Sequence, residues 1–114
     1  PDTPATSGLL NSLIFSAMKP ESVLINVGRG NVLDETALVD AICNGKIAGA
    51  VLDVFKTEPL PIDHPFWTTK GILITAHTAA LSVLVDIAPI FMENFKRFQK
   101  GAPLKYCVDF NKGY

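Results

Sequence analysis

At 114 residues, with 48% hydrophobic residues and a formal net charge of −1, the chain has one domain's length and apolar material for a modest core. The absence of a basic excess argues against a nucleic-acid partner. No apolar run approaches ~18 residues and nothing reads as a signal peptide, so a membrane-spanning or secreted protein is not indicated and a cytoplasmic one is expected.

The chain opens on Pro1-Asp2-Thr3-Pro4-Ala5-Thr6, without a methionine, and is in an ordered pattern by Leu9, as expected of a piece of something longer. Gly8–Met18 has a helical rhythm that ends at Lys19-Pro20, because Pro20 cannot continue a helix and disfavours the helical region for Lys19. Ser22–Val27 is a short continuous apolar run, the pattern of a strand buried on both faces. Asp34 offers a helix N-cap, Glu35 suits the positive end of the helix dipole, and Ala37, Leu38, Ala41 and Ile42 line one face. Asn44-Gly45 is a helix stop.

Ile47–Val54 repeats the buried-strand pattern and is closed by Asp53. A polar, Pro-rich loop runs from Lys56 to about Lys70, followed by a third apolar strand over Ile72–Thr75 with His77 just past its end. From about Leu81 to Lys100 a long helical pattern places Leu84, Ile87, Phe91, Phe95 and Phe98 at three- or four-residue steps, and Pro89 is expected to kink it or mark a junction. Gly101–Tyr114 reads as loop with a short extended piece. Strand–helix–strand–loop–strand–helix implies an α/β fold: a partial Rossmann-type parallel sheet of about three strands, with right-handed crossovers and flanking helices. Such a piece is expected to expose an apolar strand edge and hence to dimerise or behave poorly.

Each strand end carries an ionisable side chain: Arg29 after the first, Asp53 at the second with Glu58 close behind, and His77 after the third. Adjacent parallel strands bring their carboxyl ends together, where open α/β sheets bind ligands. A guanidinium there forks onto a carboxylate, an imidazole exchanges a proton with a hydroxyl or carbonyl oxygen, and a carboxylate orients that imidazole. Taken singly, each has a plainer reading: Arg29 a solvated turn, His77 a surface or capping residue, Glu58 an exposed loop charge, Asp53 a turn cap. Their coincidence at successive strand ends favours a site. His64, inside the Pro-rich loop, reads as structural, and the Phe stripe of the last helix as core. Cys43 and Cys107 are isolated, fit no metal or redox spacing, and read as reduced thiols. Gly28-Arg29-Gly30-Asn31-Val32-Leu33 begins like a dinucleotide fingerprint but lacks its third glycine and puts a bulky Arg in the turn, so it is not one.

Leu24–Gly30, Asp34–Leu38, Gly49–Pro61 and Ile74–Ala80 together, in order and spacing, resemble the D-isomer-specific 2-hydroxyacid dehydrogenases. The resembling part is the carboxyl-terminal half of their NAD(P)-binding domain, and the likeness covers nearly the whole chain. The Leu60–Trp67 stretch and the closing Val108-Asp109…Lys112-Gly113-Tyr114 resemble the glyoxylate/hydroxypyruvate reductase A branch. The resemblance implies a two-domain, homodimeric oxidoreductase that uses NAD or NADP (NADP in that branch) on a small 2-oxo or 2-hydroxy acid.

It implies Arg29 as the substrate-carboxylate ligand, His77 as the acid–base group and Glu58 as its partner. Asp53, Val27 and Ala79 would lie at the nicotinamide end of the cofactor, beside Arg29 and His77, and Pro1 and Thr3 in a loop skirting the adenosine side. Residues 1–100 would be the second half of the NAD(P)-binding domain and 101–114 a tail returning to the substrate domain. Ala76 departs from the proline the family places before the histidine, which relaxes the loop backbone without touching the chemistry. The glycine-rich phosphate loop and the residue that selects NAD or NADP would precede Pro1, so the 114 residues alone are expected neither to bind cofactor tightly nor to turn over. A non-enzymatic NAD(H)-sensing corepressor-like relative, or another protein-interaction module on the same fold, is the alternative. Glu58 counts against formate dehydrogenase, which carries Gln there.

Overall fold

The computed structural model of the chain describes residues 2–114, which divide into two compact units, one ending at Ala79 and the other spanning Ala80–Tyr114. Pro1 itself lies outside the described residues.

In the first unit, helix α1 (Ser12–Ala17) starts where Asn11 Oδ1 accepts the Leu13 and Ile14 N–H groups at 3.1 and 3.4 Å. It is shorter than its apolar rhythm suggests, because Met18 is already extended ahead of Lys19-Pro20. Strand β1 (Val23–Asn26) leads through a 3-10 turn (Gly30–Val32) to helix α2 (Glu35–Cys43). Asp34 caps α2 through the Ala37 N–H at 3.0 Å, and Gly45, at φ +65°, ends it in the left-handed conformation that glycine adopts freely. Strand β2 (Gly49–Leu52), a 3-10 turn (Pro65–Trp67) and strand β3 (Ile72–Ile74) complete the unit.

The three strands form one parallel sheet in the order β1-β2-β3. Its register puts Leu24, Ala50 and Ile72 in one row, Ile25, Val51 and Leu73 in the next, and Asn26, Leu52 and Ile74 in the third. Rows one residue apart face opposite sides of the sheet. The first and third rows join the core built from Phe15 of α1, Leu38 and Ala41 of α2, and Phe66 of the second 3-10 turn. The middle row faces the other way, and there Ile25 is 65% exposed and Leu73 61%.

Burial on both faces, expected from the unbroken apolar runs, is therefore only approached by β2, where Val51 is half-buried; β1 and β3 are edge strands whose second face is open. The runs themselves are correct for a strand meant to be covered twice, which is why the sequence pattern overstates the burial.

The second unit contains helix α3 (Leu84–Gln99), which runs through Pro89 as one helix rather than breaking into two. Pro89 lies near its N-terminal end and removes only its own N–H from the ladder. None of α3 is buried: the Phe stripe expected to be core is open, with Phe91 at 66% and Phe98 at 72% exposure. A 35-residue unit with one helix has no second apolar layer to set against that stripe.

The tail turns at Gly101 and returns along the helix, where Asn94 pairs with the Lys105 backbone through both its amide N–H and carbonyl, and Glu93 binds Lys105 Nζ at 2.7 Å. It forms no strand, against the short extended piece expected there. Among the described residues no helix is long and apolar enough to cross a membrane, and no cluster of three or more His, Cys, Asp or Glu could hold a metal. Both cysteines are free and exposed.

Because Phe66 is 1% exposed and anchors the core, Phe66→Ala is expected to cost about 3–5 kcal/mol in urea unfolding. Ile25→Ala, on the open face of the sheet, is expected to stay within about 0.5 kcal/mol.

Candidate functional site

The backbone ladder does not stop with the strands. Asp53 N–H donates to the Asn26 carbonyl at 3.0 Å, and His77 N–H donates to the Asp53 carbonyl at 2.7 Å. One line of peptide bonds thus crosses the carboxyl ends of all three strands and sets the spacing of the loops that leave them.

After β1, the buried Asn26 side chain braces the turn: its Oδ1 accepts the Gly28 N–H and its Nδ2 donates to the Arg29 carbonyl, both at 3.1 Å. Arg29 is exposed and extended, and its guanidinium donates to the Gly28 carbonyl at 2.8 Å. It makes no ion pair among the described residues, so its charge is open to an anion. Gly30 is buried, and a Cβ there would overlap the Phe55 carbonyl and crowd the Lys56 nitrogen. That glycine is demanded by the contact between the Arg29 turn and the loop carrying Glu58, not by a phosphate, which agrees with rejecting the dinucleotide fingerprint.

After β2, Asp53 is 2% exposed. Its Oδ1 accepts from the Thr75 hydroxyl and from Thr78 N–H (2.9 Å) and hydroxyl (3.4 Å), and its Oδ2 accepts from Ala79 N–H at 2.9 Å. The Thr75 bond, followed by the Thr78 N–H, holds the carboxyl at about 2, below its ordinary 3.8, although burial works in the opposite direction. The structure thus gives Asp53 to the loop that presents His77.

His77 itself sits at φ +54°, a left-handed conformation costing a non-glycine residue about 1–3 kcal/mol that its surroundings must hold. Its Nδ1 lies 2.8 Å from Glu58 Oε2, and Glu58 Oε1 accepts the Phe55 N–H at 2.9 Å. These two bonds, the histidine's first, lower the Glu58 pKa, so Glu58 is a carboxylate and His77 Nδ1 is the donor between them. Nε2 is left for a ligand on a ring whose side chain is 57% exposed.

Asp2, Arg29, Asn31, Lys56, Glu58 and His77 line one cavity of about 240 Å³, so three of the four expected ionisable residues share a wall. A second, largely apolar cavity of about 490 Å³ is lined by Phe55, Leu60, Trp67 and Ile74 and shares Glu58 and His77. Asp53, the fourth, is absent from both linings.

Of the residues expected near a cofactor, Val27 is exposed at the end of β1, and Ala79 gives its N–H to Asp53. Thr3 is buried with its hydroxyl 3.0 Å from that of Thr6. His64 is structural, as expected: it caps the Pro65–Trp67 turn by accepting the Phe66 N–H on Nδ1.

Sequence reading missed Asn26, Gly30, Thr75 and Thr78 as the residues that position the others. An Asn ending a strand before a glycine is a turn signal that could have identified Asn26. The two threonines carry no mark of periodicity.

The lowered Asp53 pKa fixes a sign. Its contribution to stability is present above pH 3.8 and is lost as pH falls toward about 2. Asp53→Asn is therefore expected to lower the melting temperature at neutral pH and to flatten the decline between those values, compared with the unmodified chain in thermal unfolding across pH. Gly30→Ala, forced against backbone, is expected to cost about 1–3 kcal/mol in the same assay.

Comparison with known proteins bears on the whole arrangement. The model of the family described as "D-isomer specific 2-hydroxyacid dehydrogenase, NAD binding domain" matches residues 1–79. The chain is 47% identical, over its full length, to a glyoxylate/hydroxypyruvate reductase A of Photorhabdus laumondii, and spans 36% of that relative. A crystal structure of a D-isomer specific 2-hydroxyacid dehydrogenase from Xanthobacter autotrophicus Py2, in complex with NADPH and MES, is 41% identical with a TM-score of 0.94. The alignment covers 100% of this chain and 47% of that one.

An NADPH-dependent glyoxylate/hydroxypyruvate reductase from Sinorhizobium meliloti, in complex with NADP and sulfate, gives 34% identity and a TM-score of 0.92, covering 100% of this chain and 38% of that one. The chain thus spans about a third to a half of these relatives. With the family model matching residues 1–79, well over half of its length, the chain belongs to the D-isomer-specific 2-hydroxyacid dehydrogenase family.

Proposed function

We propose that the full-length protein reduces small 2-oxo acids of the glyoxylate or hydroxypyruvate type with NADPH or NADH. The observation that carries this reading is the His77 Nδ1–Glu58 contact at 2.8 Å in a cavity also lined by Arg29, which makes no ion pair among the described residues. A 2-oxo acid offers a carboxylate for the Arg29 guanidinium, which binds it through paired hydrogen bonds, and a carbonyl oxygen for His77 Nε2. Glu58 keeps the imidazole oriented through Nδ1, so that His77 hands a proton from Nε2 to the oxygen as the carbon is reduced. In the reverse direction His77 accepts the hydroxyl proton. The nicotinamide, when bound, supplies the hydride.

The residues present fit one end of such a cofactor. The exposed Val27 and the His77 loop lie at the carboxyl ends of parallel strands, where α/β folds receive nucleotides, whereas Gly28–Leu33 has no phosphate cradle. In this reading Asp53, Ala79 and Thr3 serve the cofactor through the loops they hold. Residues 1–100 belong to the coenzyme domain and 101–114 return toward a substrate domain. The working protein is a cytoplasmic homodimer with no nucleic-acid partner. NADP is favoured by the relatives solved with NADPH or NADP.

The test is consumption of NADPH and NADH by the full-length protein with glyoxylate and hydroxypyruvate. His77→Gln is expected to lower kcat by about 10²–10⁴-fold. An unchanged rate would remove the proton-transfer role, and no turnover of any 2-oxo acid by the unmodified protein would remove the reading itself.

A further inference from the structure

Glu35, the first residue of α2, does something a helix-dipole residue need not do. The N-cap bond of α2 is already made by Asp34 to the Ala37 N–H, and both Glu35 oxygens point away toward the loop that carries Glu58. Oε1 accepts the Lys56 N–H at 3.1 Å, and Oε2 lies 3.5 Å from His64 Nε2. His64 Nδ1 is occupied in accepting the Phe66 N–H at 3.2 Å, which leaves the Nε2 side of the ring against Glu35. The His64 ring also meets Phe66 edge-on, with centroids 4.4 Å apart, and Phe66 is fixed in the core. Both partners are largely covered, the Glu35 side chain at 16% exposure and that of His64 at 19%.

One carboxylate therefore bonds residue 56 on one stem of the loop and lies against residue 64 on the other, with Glu58 between them. We propose that Glu35 is a positioning residue: through Lys56 and His64 it holds the Glu58 loop in the one arrangement that keeps the Glu58 carboxylate on His77. The inference rests on the reading of Glu58 and His77 as the proton-transfer pair. Arg29 sits on the other loop, whose turn has its own brace in Asn26, so loosening the Glu35 clamp falls on proton transfer more than on the grip on the substrate carboxylate.

The experiment uses the full-length protein with Glu35→Ala and with His64→Asn. The asparagine retains an acceptor for the Phe66 N–H but is too short to reach Glu35. Titration of the Glu58 carboxyl by 13C NMR reads the clamp without requiring activity. The Glu58 midpoint, lowered by its bonds to His77 and Phe55, is expected to rise toward the ordinary glutamate range in both variants, and further in Glu35→Ala, which frees both stems.

With a 2-oxo acid and NADPH, kcat is expected to fall about tenfold while KM for the 2-oxo acid stays within about twofold. A folded Glu35→Ala protein whose Glu58 midpoint is unmoved overturns the proposal, as does a loss confined to KM. Should Glu35→Ala fail to fold, the midpoint in His64→Asn decides alone. If the unmodified protein reduces no 2-oxo acid, the functional reading falls while the Glu58 titration still decides the clamp.

Discussion

The line of backbone hydrogen bonds from Asn26 through Asp53 to His77 is the constraint on which the rest depends. A parallel ladder fixes neighbouring strands a little under 5 Å apart. Extending it past the ends of β2 and β3 converts three sequence-distant residues into fixed points of a single edge. From those points short side-chain bonds do the remaining work: the Asn26 amide shapes the turn that carries Arg29, and the Asp53 carboxylate gathers Thr75, Thr78 and Ala79 around His77. Charge-assisted bonds to a buried carboxylate are among the stronger ones a chain this size has at its disposal. They are used where the backbone is least comfortable, at the left-handed His77.

Two loops meet at that edge, and they are kept in contact by different means. Gly30 lets the Arg29 turn lie directly on the Phe55–Lys56 peptide, a steric fit that a single methyl would abolish. Glu35 and His64 tie the far side of the Glu58 loop to α2 and to the core residue Phe66. The guanidinium and the imidazole–carboxylate pair thus belong to elements whose relative position is set by packing and by polar bonds together. An exposed site gains its geometry from buried neighbours.

The open face of the sheet and the uncovered stripe of α3 share one cause, a shortage of apolar layers within each unit. A three-stranded parallel sheet with helices against one side leaves Ile25 and Leu73 in solvent, and a lone amphipathic helix leaves Phe91 and Phe98 there. The chain spans about a third to a half of the relatives it matches.

The sequence by itself determined the three strands, the two longer helices, their parallel order and the ionisable residue after each strand. Those features rest on local periodicity, capping and breakers, which act within a few residues: Asp34 and Asn44-Gly45 bound α2 wherever it sits. The pairing of Glu58 with His77 was legible only through family resemblance, since nineteen positions of loop and strand separate them. Tertiary structure alone decided that Asp53 turns its carboxylate into the His77 loop, and that Gly30 serves packing. It also decided that Glu35 reaches across to Lys56 and His64. Each of these depends on which backbone groups lie unpaired beside a side chain after the strands are in register, and no pattern along the chain encodes that.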